Sequence, residues 1–323
     1  MLPILILAYN RLSSLSCLID SIEDQPHGPI YLHCDGMRNT QDIKAKEIVV
    51  FAQELLKNGR VEFLKVQPRN LGLMKSIQSA ADWFFGQVDF GIVVEDDLIL
   101  NSPVLDEAEK LYLDLIEFRE FDTFCLANPL PEKLFRKSKD SYWISDFFVS
   151  YGWGTSRKNW INSKRSLEDL DFNLIHTYMK SNFGYFVARN FDKFISKERE
   201  REWNESRNAS FAWRFTLSQI LDKKRFAILT PNRIGYTGFG SEATNTTESK
   251  GYGSNLGIGL DVNHRAWQIP KSFTKSTNLD RYFIRDFRFL RAIRILLKIR
   301  TRIQKIMAKN FKLFFGKHDQ ESI

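Results

Sequence analysis

Four short apolar runs, Pro3–Ala8, Ile30–Cys34, Val61–Val66 and Phe90–Val94, recur along the first part of the chain at roughly thirty-residue spacing. The stretches between them carry helical periodicity. Leu15, Leu18, Ile19 and Ile22 share one face of the first, with Ser13 or Ser14 as the expected N-cap. Ile43, Ile48, Phe51, Leu55 and Leu56 mark the second, ending near Asn58-Gly59. Leu73, Ile77, Ala80, Ala81 and Phe84 mark the third. Strand–helix–strand units of this length need parallel strands joined by right-handed crossovers. Continuous apolar strands predict a sheet covered by helices on both faces. The expected fold is therefore α/β, with ligands at the carboxyl ends of the strands.

Polar residues gather at those ends. The first strand delivers Asn10-Arg11, the second Asp35-Gly36, the third Arg69-Asn70-Leu71-Gly72 and the fourth Glu95-Asp96-Asp97. Three consecutive carboxylates after a buried strand repel one another and lose hydration, unless a cation or hydrogen-bond donors compensate. A hard divalent ion that also takes substrate phosphates supplies that compensation. The same tripeptide also reads as a solvated acidic loop capping a helix that begins near Pro103, and its position after the fourth apolar run favours the ion. No Walker A loop, G-x-G-x-x-G fingerprint or H-E-x-x-H motif is present.

Composition narrows the classes further. The chain of 323 residues has 47 Lys+Arg against 39 Asp+Glu, a formal net charge of +8. Twelve of the basic residues and one acidic residue, Asp286, lie within 281–317, a net +11. The remainder, 35 basic against 38 acidic, is −3. A slightly acidic body lacks the basic face that nucleic-acid binding needs, so no nucleic-acid partner is expected. Cys17, Cys34 and Cys125 show no C-x-x-C spacing and read as reduced thiols of a cytoplasmic protein. The apolar run Leu2–Ala8 lacks the charged start of a signal peptide and the length of a spanning helix. His33, His176 and His264 are isolated in sequence and suggest no role.

The ordered set "PILILAYNR", "IYLHCDG", "RNLGL" and "GIVVEDDLIL" resembles the nucleotide-sugar-binding half of a GT-A glycosyltransferase. "SDFFVSYGWGTSRKNW" and "TPNRIGYTGFGSEATNT" extend the resemblance to bacterial surface-polysaccharide sugar transferases. They are also similar to the eukaryotic family that adds N-acetylglucosamine in β-1,2 linkage to mannose. The resemblance covers roughly residues 3–247. It implies a GT-A-like, mainly parallel twisted sheet flanked by helices. Residues 1–100 would form the nucleotide-sugar-binding half, 101–275 the acceptor and catalytic half of the same domain, and 276–323 a basic helical tail.

By the same resemblance, Asp35 contacts the nucleotide base, and Asn10 and Arg11 line the nucleotide pocket, Arg11 reaching a phosphate. Arg69, Asn70 and Gly72 belong to that donor rim. Asp97, the last carboxylate of the triplet, binds Mn²⁺ or Mg²⁺, while Glu95 and Asp96 hold the ribose and the donor sugar. Gly152, Trp153 and Gly154, preceded by Asp146, lie on the acceptor side. Relatives carry a catalytic aspartate in a W-D-x-x-W-like segment, whose counterpart here, Phe211-Ala212-Trp213-Arg214-Phe215, has no carboxylate. Asp146, Glu205 and Glu242 are the candidate bases.

The expected function is metal-dependent, inverting transfer from a nucleotide-diphosphate sugar such as a UDP-sugar to a saccharide or lipid-linked saccharide, in surface-polysaccharide assembly. A sugar nucleotidyltransferase and a non-catalytic sugar-binding protein of the same fold are the alternatives. The first would need a Gly-rich loop after strand one, where Asn10-Arg11-Leu12-Ser13 has none.

In the tail, basic residues at 288, 291, 294, 298, 302, 305, 309 and 312 keep the interval of one helical stripe. Phe289, Leu296, Ile299, Ile303, Met307 and Phe314 form an apolar stripe opposite. Such a helix lies in an anionic membrane interface or docks on its own domain. The first choice makes the protein cytoplasmic and peripheral to the inner membrane.

Overall fold

The computed structural model describes residues 1–131, 138–203, 210–230, 232–237, 266–274, 276 and 279–281. Its first half follows the strand–helix alternation expected from the sequence. Strands β1 (Ile4–Ala8), β2 (Ile30–Cys34), β3 (Phe63–Val66) and β4 (Phe90–Glu95) are linked by helices α1 (Leu12–Glu23), α2 (Ile43–Lys57) and α3 (Leu73–Phe85). The α1 face made by Leu15, Leu18, Ile19 and Ile22 is fully buried, as its periodicity requires. The N-cap differs from expectation, because the helix starts at Leu12 with Arg11 as cap residue and no side-chain cap bond. Ser14 instead takes a hydrogen bond from the Thr237 hydroxyl at 3.2 Å.

After β4 come β5 (Leu98–Leu100), α4 (Val104–Phe118), β6 (Thr123–Cys125), β7 (Tyr142–Ser145) and β8 (Trp153–Ser156). Helices α5 (Arg157–Asn162), α6 (Phe172–Phe183), α7 (Tyr185–Trp203) and α8 (Phe211–Leu221) follow, then β9 (Phe226–Leu229) and β10 (Ile234–Tyr236). Among the described residues the main sheet has eight strands in the order β3-β2-β1-β4-β8-β6-β9-β7. Pairing is parallel from β3 to β4. Strand β8 runs antiparallel between β4 and β6, and β7 is antiparallel to β9. Six of the eight strands therefore point one way, which is the mainly parallel α/β sheet.

Coverage is unequal across this sheet. Strands β1 and β2 are buried almost throughout, whereas edge strand β3 leaves Phe63 41% and Val66 36% exposed. Edge placement removes neighbours from one side of β3, so its apolar run is not covered on both faces as the sequence suggests. Phe63 still stacks on Tyr31, ring centroids 4.3 Å apart.

A second, two-stranded ribbon pairs β5 with β10 antiparallel, Leu98 opposite Tyr236 and Leu100 opposite Ile234. It carries the chain from Asp97 to α4, so the acidic triplet does not cap that helix. Pro103 takes the N-cap position. The far end of the ribbon is fixed by a buried fork. The Arg233 guanidinium donates to both Glu107 carboxylate oxygens at 2.8–3.1 Å, and Arg233 is 1% exposed. Among the described residues no helix is long and apolar enough to cross a membrane.

Candidate active site

The carboxyl ends of β1, β2 and β4 open onto a cavity of about 380 Å³. Tyr9, Asn10 and Arg11 line it from the turn after β1, and Asp35 and Arg38 from the end of β2. Asn70, Gly72 and Ser76 come from the loop and helix after β3, and Glu95, Asp96 and Asp97 from the end of β4. Ser150, Tyr151 and Tyr236 close the remaining side. Four segments far apart in sequence thus meet where the parallel topology requires.

Asp35 is buried, and its carboxylate organises the loop after β3. Oδ1 accepts from the Gly36 and Leu71 amides, both at 2.9 Å, and Oδ2 accepts from Asn70 Nδ2 at 2.9 Å. Gly72, at φ +77, then turns the chain into α3, a backbone geometry that side-chain-bearing residues rarely adopt. Burial raises the Asp35 carboxyl above its ordinary range, and the amides of Leu71, Gly36 and Gly72 oppose that rise. Arg69 behaves differently from its neighbours. Its side chain is exposed and does not line the cavity, while its backbone packs where a Cβ on Gly36 would fall, 2.3 Å away.

The acidic triplet is enclosed. Asp96 is 6% and Asp97 4% exposed. The Arg11 guanidinium donates to Asp96 Oδ1 at 3.3 Å and to Asp97 Oδ2, and the Tyr9 amide donates to Asp96 Oδ2 at 3.1 Å. Desolvation, then the charges of Asp97 and Asp96, lift Glu95 to about 8. Desolvation, then Asp97, lifts Asp96 to about 7. Asp97 is raised by burial as well, although Arg11 pulls the other way. One guanidinium faces three crowded carboxylates, and burial with mutual repulsion favours the protonated forms of Glu95 and Asp96.

Asp97 is held from both ends. The Thr237 amide donates to its backbone carbonyl at 2.8 Å, and the Tyr236 side chain hydrogen-bonds its carboxylate. Tyr236 packs edge-on against Tyr151, with centroids 5.4 Å apart. Burial, then the charges of Glu95 and Asp97, push the Tyr151 hydroxyl up to about 12. On the other rim, the Tyr9 hydroxyl donates to Asp42 Oδ2 at 2.7 Å, and the Arg38 guanidinium lies 5.1 Å from the Tyr9 ring centre.

The expected acceptor-side residues are placed elsewhere. Gly152, Trp153 and Gly154 do not line the cavity. Trp153 is 3% exposed and packs among Phe148, Trp160, Phe211 and Phe215. A Cβ on Gly154 would lie 2.2 Å from the Phe124 ring, so that glycine admits a core aromatic rather than a ligand. The carboxylate-free segment Phe211–Phe215 belongs to the same aromatic cluster, on α8. Asp146 follows β7 at the end paired with Phe226, the amino end of β9, away from the carboxyl rim. Its carboxylate accepts the Tyr178 hydroxyl and it does not line the cavity. Glu205, Glu242 and the tail from 282 onward lie outside the described residues.

Among the described residues, no group of three or more His, Cys, Asp or Glu could hold a metal ion unaided. The donor set nonetheless suits a hard cation in an open site. Asp97 and Asp96 offer carboxylate oxygens at the cavity wall, and their charge is only partly neutralised. Tyr9, Arg38, Ser76, Ser150, Tyr151 and Tyr236 were not legible as site residues. The prior signal was only that Tyr9, Ser150, Tyr151 and Tyr236 stood inside blocks of the resemblance, with no role of their own.

Comparison with known proteins gives no matching family model and no matching curated protein. Solved structures with partial likeness include TarS 1-349 of S. aureus, 13% identical over 74% of this chain and 61% of that one, with a TM-score of 0.42. HddC from Yersinia pseudotuberculosis is 19% identical over 49% of this chain and 78% of that one, TM-score 0.31. A putative glucose-1-phosphate thymidylyltransferase from Bacillus anthracis, in complex with a sucrose, is 11% identical over 67% and 99%, TM-score 0.35. The chain spans 30% of the longer TarS chain and 61% of its 1-349 form.

Proposed function

We propose that the chain is a metal-dependent, inverting glycosyltransferase that moves a sugar from a nucleoside-diphosphate donor to a saccharide acceptor. The observation that supports this most is the convergence of Asn10, Arg11, Asp35, Asn70, Gly72 and the Glu95–Asp97 triplet on one cavity at the carboxyl ends of parallel strands. The turn between β1 and α1 is only Tyr9-Asn10-Arg11. It contains no glycine to cradle a triphosphate, which disfavours the nucleotidyltransferase alternative.

In this reading the loop held by Asp35 receives the nucleoside, and Arg11 faces the phosphates. Asp97, with Asp96 beside it, would hold Mn²⁺ or Mg²⁺, whose chemistry is to neutralise the diphosphate as it leaves. Glu95 and Asp96 face the ribose and the donor sugar. A base takes the proton of an acceptor hydroxyl, the hydroxyl oxygen bonds to the anomeric carbon, and the carbon–phosphate oxygen bond breaks. Glu205 and Glu242 remain the proposed bases, since Asp146 is committed to Tyr178. The basic tail would hold the enzyme at an anionic membrane, where lipid-linked acceptors of surface polysaccharide are presented.

The test is transfer with a panel of nucleotide sugars and Mn²⁺, comparing the full chain with Asp97→Asn. Loss of transfer by a variant with unchanged circular dichroism is expected. Undiminished transfer by it would overturn the assignment. Formation of a nucleotide sugar from a sugar phosphate and a nucleoside triphosphate would select the nucleotidyltransferase instead.

A further inference from the structure

Arg11 occupies the very carboxylates a cation would need. Its guanidinium bridges Asp96 and Asp97, and its side chain is 15% exposed against 8% and 5% for theirs. These are enclosed, charge-assisted contacts, so they are stronger than a surface ion pair. A divalent cation on Asp97 and a guanidinium on the same oxygen repel each other at contact distance. One of the two must leave, and the structure indicates which. Asp97 is pinned through its carbonyl by Thr237 and through its carboxylate by Tyr236. The Arg11 carbonyl accepts the Leu15 amide at 3.0 Å, and its side chain lies along the cavity wall, where an entering anion can reach the guanidinium. A guanidinium displaced into an empty cavity would lose both carboxylates. A diphosphate in the cavity would give it new anionic oxygens and would give the cation further ligands.

We propose that Arg11 is a built-in counterion that competes with the divalent cation for Asp97 and yields when a nucleoside diphosphate enters, so that cation and nucleotide bind cooperatively. The proposal rests on the donor-site reading above and deepens it. Arg11 acts here as a positioning residue whose two alternative partners order the binding events. The cation alone binds weakly, and the nucleotide and the cation strengthen one another by the same factor. When the nucleoside diphosphate departs, Arg11 returns to the carboxylates and the cation is released with it.

The experiment is calorimetric titration of the full chain with Mn²⁺ alone, UDP alone, and Mn²⁺ at saturating UDP. The wild type is compared with Arg11→Gln and Arg11→Lys, after circular dichroism of each. The Mn²⁺–UDP complex that forms in solution is common to all three and cancels. Wild type should show strong mutual enhancement. Arg11→Gln should bind Mn²⁺ alone about tenfold more tightly than wild type and lose most of the enhancement. Arg11→Lys, which keeps a charge but not the two-pronged contact, should fall between, and it carries the test if the glutamine variant does not fold. The proposal is overturned if the variants bind Mn²⁺ alone no more tightly than wild type, or if the enhancement is unchanged. Enhancement present in wild type and intact in the variants would sink the Arg11 role alone. Absence of any enhancement in wild type would sink the metal-dependent reading with it.

Discussion

At the scale of single residues, a buried histidine sets an acid limit on the fold. His33 is 0% exposed on β2, with Gln67 Nε2 3.0 Å from its Nε2. Burial, then the charge of Lys65, lowers it to about 4. The unfolded chain takes up this proton below its ordinary value of 6.5, whereas the folded chain resists until about 4. The His33 contribution is therefore full above pH 6.5 and is lost as pH falls through that window, by about 3 kcal/mol at its foot, while the raised Glu95 and Asp96 carboxyls act with the opposite sign over the same range. The difference in urea midpoint between the wild type and His33→Gln, measured at several pH values, should show the His33 slope. An unchanged acid slope in the variant would refute the assignment. Trp153 is the residue-scale counterpart within the aromatic core, where Trp153→Ala should cost about 3–5 kcal/mol. That loss should appear as a lower urea midpoint. Little about either side chain is legible in sequence. A histidine between Leu32 and Cys34, or a tryptophan between two glycines, does not announce whether it meets a ligand or the core, because that depends on which helix covers it.

At the scale of elements, the β5–β10 ribbon is what ties the far part of the chain to the acidic triplet. Its stability depends on the Arg233–Glu107 fork at one end and the Thr237–Asp97 bond at the other. Glu107→Ala would leave a buried guanidinium without its carboxylate, at a cost of about 3–5 kcal/mol. Chemical denaturation should register that loss. In the surviving folded fraction, the KM for the proposed nucleotide-sugar donor should rise, since Tyr236 would no longer be held against Asp97. A variant with unaltered stability and KM would show that the ribbon is anchored otherwise. The first four strands and three helices were legible because each is encoded by its own local periodicity. The ribbon was not, because three-residue strands carry too little pattern and become strands only by pairing across the fold. The antiparallel insertion of β8 escaped sequence reasoning for the same reason. The cavity wall followed the first group: Asn10, Arg11, Asp35, Asn70 and the triplet sit at ends of strands that local pattern already defines. Gly152–Gly154 and Asp146 follow the second group, whose placement local pattern does not encode, and none of them lines the cavity.

At the scale of the whole molecule, charge is divided between a −3 body and a +11 segment at 281–317. If that segment holds the protein to membranes, the full chain should float with anionic liposomes at low salt. A chain ending at 280 should float far less, and salt near 0.5 M should release the full chain, because screening shortens to within about 4–5 Å there. Equal flotation of the two forms would remove the membrane role and leave the tail as a helix docked on its own domain. The body should retain its fold in this comparison, since its main sheet is complete by Leu229.

The ribbon also has a consequence for how the protein comes into being on the ribosome. Strands β1 to β4 are finished within the first hundred residues, and with them the three crowded carboxylates. The partners that fix Asp97, Tyr236 and Thr237, are synthesised much later. During that interval a nascent chain holds its acidic triplet with Arg11 as the counterion already delivered by the same early segment. Translation order thus supplies the triplet with one early counterion before the rest of the site exists, and the cavity acquires its final wall only when the last strand of the ribbon has emerged.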